Sequence, residues 1–408
     1  MKSVSSSSSW FTSPTVKWIL ISLTGIILAI IATIPQIPHP KFDIDEFVMP
    51  LARDYASKLP NNNNNNKERP LEGTVALITG PTSGIGLALT RKLTALGVNV
   101  IAVGRSPNKL QKLRDEMPTS IQTVQAEFSD LDEVAKAADE IRSIVNDGHI
   151  DFWINNAGTH DGVNNLFGTT VTKQGYDPVF AINYLSHVLL TEKCIDLLER
   201  APQPVLLQIS SSFHWAVDGQ DLVVPPNSDS LSPLASRPGG ATAMYLYRST
   251  RSYANSKLAQ IYHARSLTTR NKKIRAISIC PSWVYTNITR FDSNSLEQRT
   301  FKSLAYPLEG WGIVSAFMGM LDTTTTASRN DFYTNTQLFA NPQLMEFSSW
   351  CPAGLREVVV HTQSVLILIV QKFYPAMGPS TSSPESYNVK LQQGLWEWTR
   401  QKALAKYL

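Results

Sequence analysis

The fold is decided by residues 75–86, Val75-Ala76-Leu77-Ile78-Thr79-Gly80-Pro81-Thr82-Ser83-Gly84-Ile85-Gly86. Four apolar residues read as a short buried strand, and residues 85–96 then carry apolar side chains at helical spacing. Between them lies a turn with three glycines, Gly80, Gly84 and Gly86. Glycine lets the backbone turn sharply and approach another group closely. A strand, a glycine-rich turn and a helix N-terminus together make a cradle for a pyrophosphate, whose charge meets free N–H groups and the positive end of the helix dipole. Thr82, Ser83, Gly84, Ile85 and Gly86 are the candidate contacts, with Gly80 opening the turn.

Outward from this turn, short apolar runs and helical patterns alternate from residue 71 to about 321. Strands are expected at 98–103, 121–126, 152–154, 205–209 and 274–279. Helices are expected at 108–117, 131–145, 176–198 and 252–268. That alternation predicts βαβ units and a doubly wound α/β fold of the Rossmann type, a parallel sheet covered on both faces. The second strand ends Val103-Gly104-Arg105-Ser106. A site preferring NAD places an acid here for the ribose 2′-hydroxyl. Arg105 and Ser106 instead suit a 2′-phosphate, which favours NADP(H).

Three further clusters carry chemistry. Asn155-Asn156-Ala157-Gly158 follows the fourth strand, and its small residues keep the chain close to a bound ribose and nicotinamide. Ser211, with Ser210 and Ser212 as neighbours, follows the fifth. Tyr253 and Lys257 stand four apart, on one face of a helix. An ammonium beside a phenol favours the phenolate, which brings Tyr253 toward proton exchange near neutral pH. His214 and Asp218 near Ser211 raise a hydrolase triad, but no Gly-x-Ser-x-Gly surrounds the serine. His160 and Asp161 lack further ligands at metal spacing, so no metal site is expected.

In order and spacing these motifs resemble the short-chain dehydrogenase/reductase family, and within it the retinol dehydrogenase and WW-domain oxidoreductase branch. The likeness is strong over 71–320 and weak over 371–400. It implies Tyr253 as general acid/base, Ser211 as hydrogen-bond partner of the substrate oxygen, and Lys257 as holder of the nicotinamide ribose. It implies that Asn183, in Phe180-Ala181-Ile182-Asn183, holds a water in a proton relay. Val284 and Thr286 match positions that touch the nicotinamide carboxamide. Ser282 stands where the family usually has glycine. Glu127-Phe128 stands where Asp-Leu is common beside adenine, so Glu127 is the candidate adenine contact. The implied activity is NADP(H)-dependent oxidoreduction of a lipophilic carbonyl or alcohol of retinoid, steroid or fatty-aldehyde type. The alternatives are a non-catalytic dinucleotide-binding redox sensor or scaffold, and a pigment-precursor or sterol reductase. The resemblance leaves open a homodimer.

The flanks are read from composition. Residues 18–34 contain no charge and, as a helix, span about 25 Å, near the lower limit for crossing a bilayer. They are expected to be a transmembrane anchor within an N-terminal segment 1–40, ended by Pro35, Pro38 and Pro40, ahead of a cleaved signal or a transit peptide. An internal membrane such as the endoplasmic reticulum is expected, and lysines on both sides leave the orientation open. Residues 41–70, with six asparagines at 61–66, are expected to be a flexible linker. Residues 71–408 form one catalytic domain with an insertion around 322–371, of which 358–370 are apolar but interrupted. With 408 residues, 43% hydrophobic and 17% charged, the chain can bury a large core. A net charge of +4 gives no case for nucleic acid, and three scattered cysteines form neither a disulfide framework nor a zinc pattern.

Overall fold

A computed structural model describes residues 43–60, 66–160, 171–222, 243–281, 284, 286, 288, 311–322, 332–334, 378–380 and 382–408. The expected anchor at 18–34, most of the asparagine tract and the 358–370 run lie outside the described residues. Among the described residues, no helix is long and apolar enough to cross a membrane.

Among the described residues, the core is a sheet of eight strands in the order β3-β2-β1-β4-β5-β6-β7-β8. The strands are β1 (Val75–Thr79), β2 (Asn99–Gly104), β3 (Ile121–Gln125), β4 (Phe152–Asn155), β5 (Val205–Ile209), β6 (Arg275–Cys280), β7 (Phe332–Thr334) and β8 (Gly378–Ser380). Neighbours pair in parallel up to β7, and β8 adds antiparallel at the edge. β1, β4 and β5 are apolar along nearly their whole length because helices cover both faces. One face packs Leu77, Trp153 and Leu206 against the helices between β3 and β6; the other packs Ile78, Phe152 and Leu207. The order reverses direction between β1 and β4, which opens a crevice at the carboxyl ends of the strands.

The presumed linker contains a helix. Residues Ile44–Ser57 form α1, capped by the Asp43 side chain on Asp45 N–H at 2.8 Å. Its apolar stripe, Val48, Ala52, Tyr55 and Ala56, is buried with Phe152 and Phe317. The Tyr55 ring lies 5.1 Å from that of Phe152, and its hydroxyl donates to the Gln203 carbonyl at 2.9 Å. This part of 41–70 therefore belongs to the folded domain, and only the stretch after it retains a linker's composition.

The other helices follow the expected pattern: α2 (Gly84–Ala95), α3 (Pro107–Glu116) and α4 (Leu131–Val145). The long helix expected at 176–198 is broken into parts. Pro178–Phe180 leads into a π-helical turn, Ala181–Leu185, and then α5 (Ser186–Lys193) and α6 (Ile195–Glu199). In the π turn the Ser186 N–H bonds back five residues to the Ala181 carbonyl. Such bulges concentrate at functional sites. Helix α7 (Ala243–Arg270) is longer than expected, followed by α8 (Trp311–Leu321) and the C-terminal α9 (Val389–Trp398).

Replacing Tyr55 by alanine removes a fully buried ring on the outer face of the sheet. We expect a loss of about 3–5 kcal/mol in urea unfolding of the full chain. An unchanged midpoint would return residues 44–57 to the linker.

Candidate active site

Every strand end that the sequence marked converges on the carboxyl edge of the sheet. The turn after β1 holds Gly80 and Gly84 at φ of +67° and +55°. A Cβ at Gly80 would lie 2.9 Å from the Ala157 Cα, and one at Gly86 would overlap the Gly80 carbonyl oxygen. The glycines thus let three chain segments touch. Ser83 starts α2 without a side-chain cap, and the helix has no acid in its first turn. That end suits a phosphate.

Thr79 is the knot of this corner. Its hydroxyl accepts the N–H groups of Asn156 and Ala157, each at 2.9 Å. The Asn156 amide donates to the Thr79 and Gly80 carbonyls at 2.8 and 3.1 Å. A hydroxyl has two acceptor positions and one proton, so Thr79 donates to His187 Nε2, 2.9 Å away. His187 Nδ1 must then carry the ring proton, which it gives to the Asn183 carbonyl at 3.0 Å.

Arg105, at the end of β2, and Glu127, after β3, line a cleft of about 500 Å³ together with Ser129, Thr159, Lys173 and Ile182. Glu127 is tied within its own turn: its carboxylate accepts the Ser129 N–H at 3.1 Å and its N–H donates to Glu133 at 2.9 Å. Lys173 is held by Asp130 and Asp132 at 3.1 and 3.0 Å. Thr286 rests over the glycine turn, within 3.3 Å of a Cβ placed on Gly84, and Val284 is buried beside it in sequence.

Asn183 lies in the π turn, fully buried. Its side chain accepts from Thr159 N–H at 2.8 Å and donates to the Thr159 carbonyl and the Ser256 hydroxyl, both at 3.0 Å. Both polar ends of the amide and both lone pairs of its own carbonyl are thus engaged within the protein; the second lone pair takes the Gln260 amide at 2.8 Å.

Ser211 and Tyr253 share a hydrogen bond, which pulls the phenol's pKa down while burial, the larger effect, pushes it up. The sequence alone led us to expect a phenol lowered by Lys257; in the structure it is raised above its ordinary value because the ring is 8% exposed. The lysine Nζ lies 5.3 Å from the ring centroid. Lys257 itself is pushed down to about 7 by burial, against a small opposing pull from Cys280. Its ammonium donates to the Ile209 carbonyl at 2.8 Å and to the Gln260 amide oxygen at 3.1 Å. Of the three serines, Ser210 is spent on the Lys257 carbonyl at 2.9 Å, and Ser212 gives its N–H to Cys280 Sγ. Ser211 is the one that faces the phenol.

His214 forms no hydrolase triad. Its Nδ1 donates to the Ser211 carbonyl at 2.6 Å and its Nε2 accepts the Ser383 N–H at 3.1 Å. The ring is a neutral strut between the serine loop and the C-terminal segment. His187, Gln260 and Thr159 were not singled out from sequence, and His214 was singled out only for a triad that it does not form. Only Gln260 left a trace there, three residues past Lys257 and so on the same helical face.

A family model described as short chain dehydrogenase matches residues 74–215. An uncharacterized oxidoreductase of Schizosaccharomyces pombe is 30% identical over 252 residues, covering 59% of this chain and 70% of its own length. Polyprenol dehydrogenase of Homo sapiens is 26% identical over 232 residues, covering 54% of this chain and 63% of its own length. The crystal structure of an uncharacterized protein from Mycobacterium paratuberculosis superposes with a TM-score of 0.53 at 18% identity, covering 85% of this chain and 96% of that one, which supports the fold. The match and the convergent site define an oxidoreductase built on a dinucleotide-binding fold. The chain belongs to the short-chain dehydrogenase family.

The buried histidines set an acid limit on stability. His187 and His214 are held down to about 3 by burial, whereas an unfolded histidine titrates near 6.5. Between those values the unfolded chain binds protons that the native one does not, so stability falls as pH falls from 6.5 toward 3. Each such ring should cost about 2 kcal/mol between pH 7 and pH 5. His214→Gln should flatten the pH dependence of urea unfolding by about that amount. An unaltered dependence would mean that His214 is charged in the native state.

Proposed function

We propose that the protein catalyses hydride transfer between NADP(H) and a lipophilic carbonyl or alcohol, held at an internal membrane by the apolar segment 18–34. The observation that carries the catalytic part is the trio of half-buried Ser211 and buried Tyr253 and Lys257 at the carboxyl edge of the sheet, with the Lys257 Nζ 3.8 Å from a Cβ placed on Gly158. Gly80, Thr82, Ser83, Gly84, Ile85 and Gly86 would hold the pyrophosphate, Arg105 the 2′-phosphate, and Glu127 the adenine end. Asn156, Ala157 and Gly158 would lie along the ribose, with Val284 and Thr286 at the carboxamide. The residues fit a dinucleotide: an uncapped helix start follows a turn too crowded for any side chain at Gly86. When bound, the nicotinamide supplies the hydride.

The chain's own residues then handle the proton. A phenol kept protonated by burial is a proton donor to a carbonyl oxygen, and Ser211 is placed to hydrogen-bond the same oxygen. Lys257 holds a positive charge beside the phenol and orients a ribose hydroxyl. Preference for NADP(H) is supported by Arg105, exposed at the end of a strand that offers no acid. The lipophilic substrate is supported by the apolar segment and by the likeness to polyprenol dehydrogenase.

Two measurements test this. Tyr253→Phe keeps the ring and removes the proton; turnover of a panel of retinoid, steroid and fatty aldehydes with NADPH should fall roughly 10²–10⁴-fold. Near-normal turnover would remove Tyr253 from the chemistry. Arg105→Ala should weaken NADPH binding by roughly 10- to 150-fold in fluorescence titration, the worth of a charge-assisted contact, and leave NADH nearly unchanged. An equal loss for both nucleotides would sink the NADP assignment.

A further inference from the structure

Gln260 joins the two parts of the site that must be held in register. It lies on α7, is 1% exposed, and its amide is used at both ends. The oxygen accepts from Lys257 Nζ at 3.1 Å; the nitrogen donates to the Asn183 carbonyl in the π turn at 2.8 Å. The Asn183 carbonyl also takes His187 Nδ1, and His187 Nε2 takes the Thr79 hydroxyl. One unbroken run of buried hydrogen bonds therefore links the ammonium of Lys257 to the residue that opens the glycine turn.

We propose that Gln260 is a positioning residue for Lys257: its side-chain amide clamps the ammonium to the Asn183 carbonyl and so to the glycine turn. The proposal rests on the reading of Lys257 as part of the catalytic site. An ammonium has three donors. Ile209 and Gln260 fix two of them, which leaves the third directed by geometry rather than by rotamer freedom. Gln260 also occupies the Asn183 carbonyl, so any water held there would have to displace the amide. The amide oxygen stabilises the charged amine that burial disfavours.

Among the described residues, the charged and titratable groups facing Lys257 are Tyr253 on its own helix, Cys280 at the end of β6 and His187 on α5. None is a carboxylate, so a change at residue 260 acts on an otherwise neutral surround. Gln260→Leu removes the acceptor. Gln260→Glu keeps the length and the acceptor, and adds an opposite charge. The titration midpoint of Lys257, about 7, should move down in the leucine variant and up by about 1–3 units in the glutamate variant.

The test reads this midpoint directly, from the ¹³Cε signal of Lys257 in the full chain, assigned by its loss in Lys257→Arg. In parallel, kcat is followed against pH with NADPH and whichever panel aldehyde the wild type reduces. The expected result is opposite shifts of both the midpoint and the alkaline limb of kcat, with KM for the aldehyde unmoved. A midpoint unmoved in Gln260→Glu overturns the proposal, even where the leucine variant does not fold. Opposite midpoint shifts without turnover in the wild type would leave the clamp standing and remove the catalytic reading instead.

Discussion

A lysine ammonium with 3% exposure is the constraint around which this molecule is arranged. Burying an unpaired charge costs more than a small domain's whole stability, so the surroundings must supply acceptors or the amine must lose its proton. The protein does part of each. It supplies the Ile209 carbonyl at the end of β5 and the Gln260 amide on α7, and burial still draws the amine down to about 7. A surface lysine would be permanently charged and freely rotating, and neither property would fix a phenol or a ribose.

Gln260 can accept from the ammonium while its own N–H is satisfied elsewhere, on the Asn183 carbonyl. The Asn183 carbonyl, in the π turn at Ala181–Leu185, meets both Gln260 and His187. His187 is in turn neutral, with one tautomer fixed by the carbonyl on one side and the Thr79 proton on the other. Each member is satisfied only because the next one is. A network of this kind is worth having only when complete, since one orphaned group in it costs more than an apolar replacement.

The phosphate corner was legible in the sequence because glycine is required there by backbone geometry, and geometry leaves a spacing. Gly80 and Gly84 need positive φ, and Gly86 sits where no Cβ fits. Tyr253 and Lys257 were legible only through the family resemblance, since two residues four apart on a helix are common, and the parallel sheet through its near-continuous apolar strands. What stayed hidden has no period. Helix α1 was masked by Pro50, which lies inside it, and by the asparagine tract that follows; its stripe of Val48, Ala52 and Tyr55 is amphipathic spacing that composition overrode. The π turn adds one residue to a helical repeat and leaves the pattern on either side intact. His187 and Gln260 look like ordinary polar residues in helices until tertiary structure brings a carbonyl to each. The raised phenol of Tyr253 was misjudged for a related reason: a neighbouring charge can be read from spacing, but the depth of burial cannot.

The same reasoning extends the site beyond the stretch 74–215 that the family model matches. Ser211 faces Tyr253 from a short 3-10 turn, Ser212–Ala216, which has few backbone bonds of its own. The turn is propped by His214, whose far nitrogen holds the Ser383 backbone. That C-terminal segment is fastened to α7 by Arg265, which donates to the Ser386 carbonyl at 2.7 Å and the Ser382 hydroxyl at 2.9 Å, and by the Tyr262 hydroxyl on the Glu385 carbonyl. The Arg265 guanidinium also stacks 3.6 Å from the Tyr387 ring centroid. The helix that carries Tyr253 therefore also carries the clamp that braces Ser211 from the other side. Helix α7 thus carries the phenol directly and, through the C-terminal segment, one support of the loop in which Ser211 sits, while the end of β5 two residues earlier supplies the other.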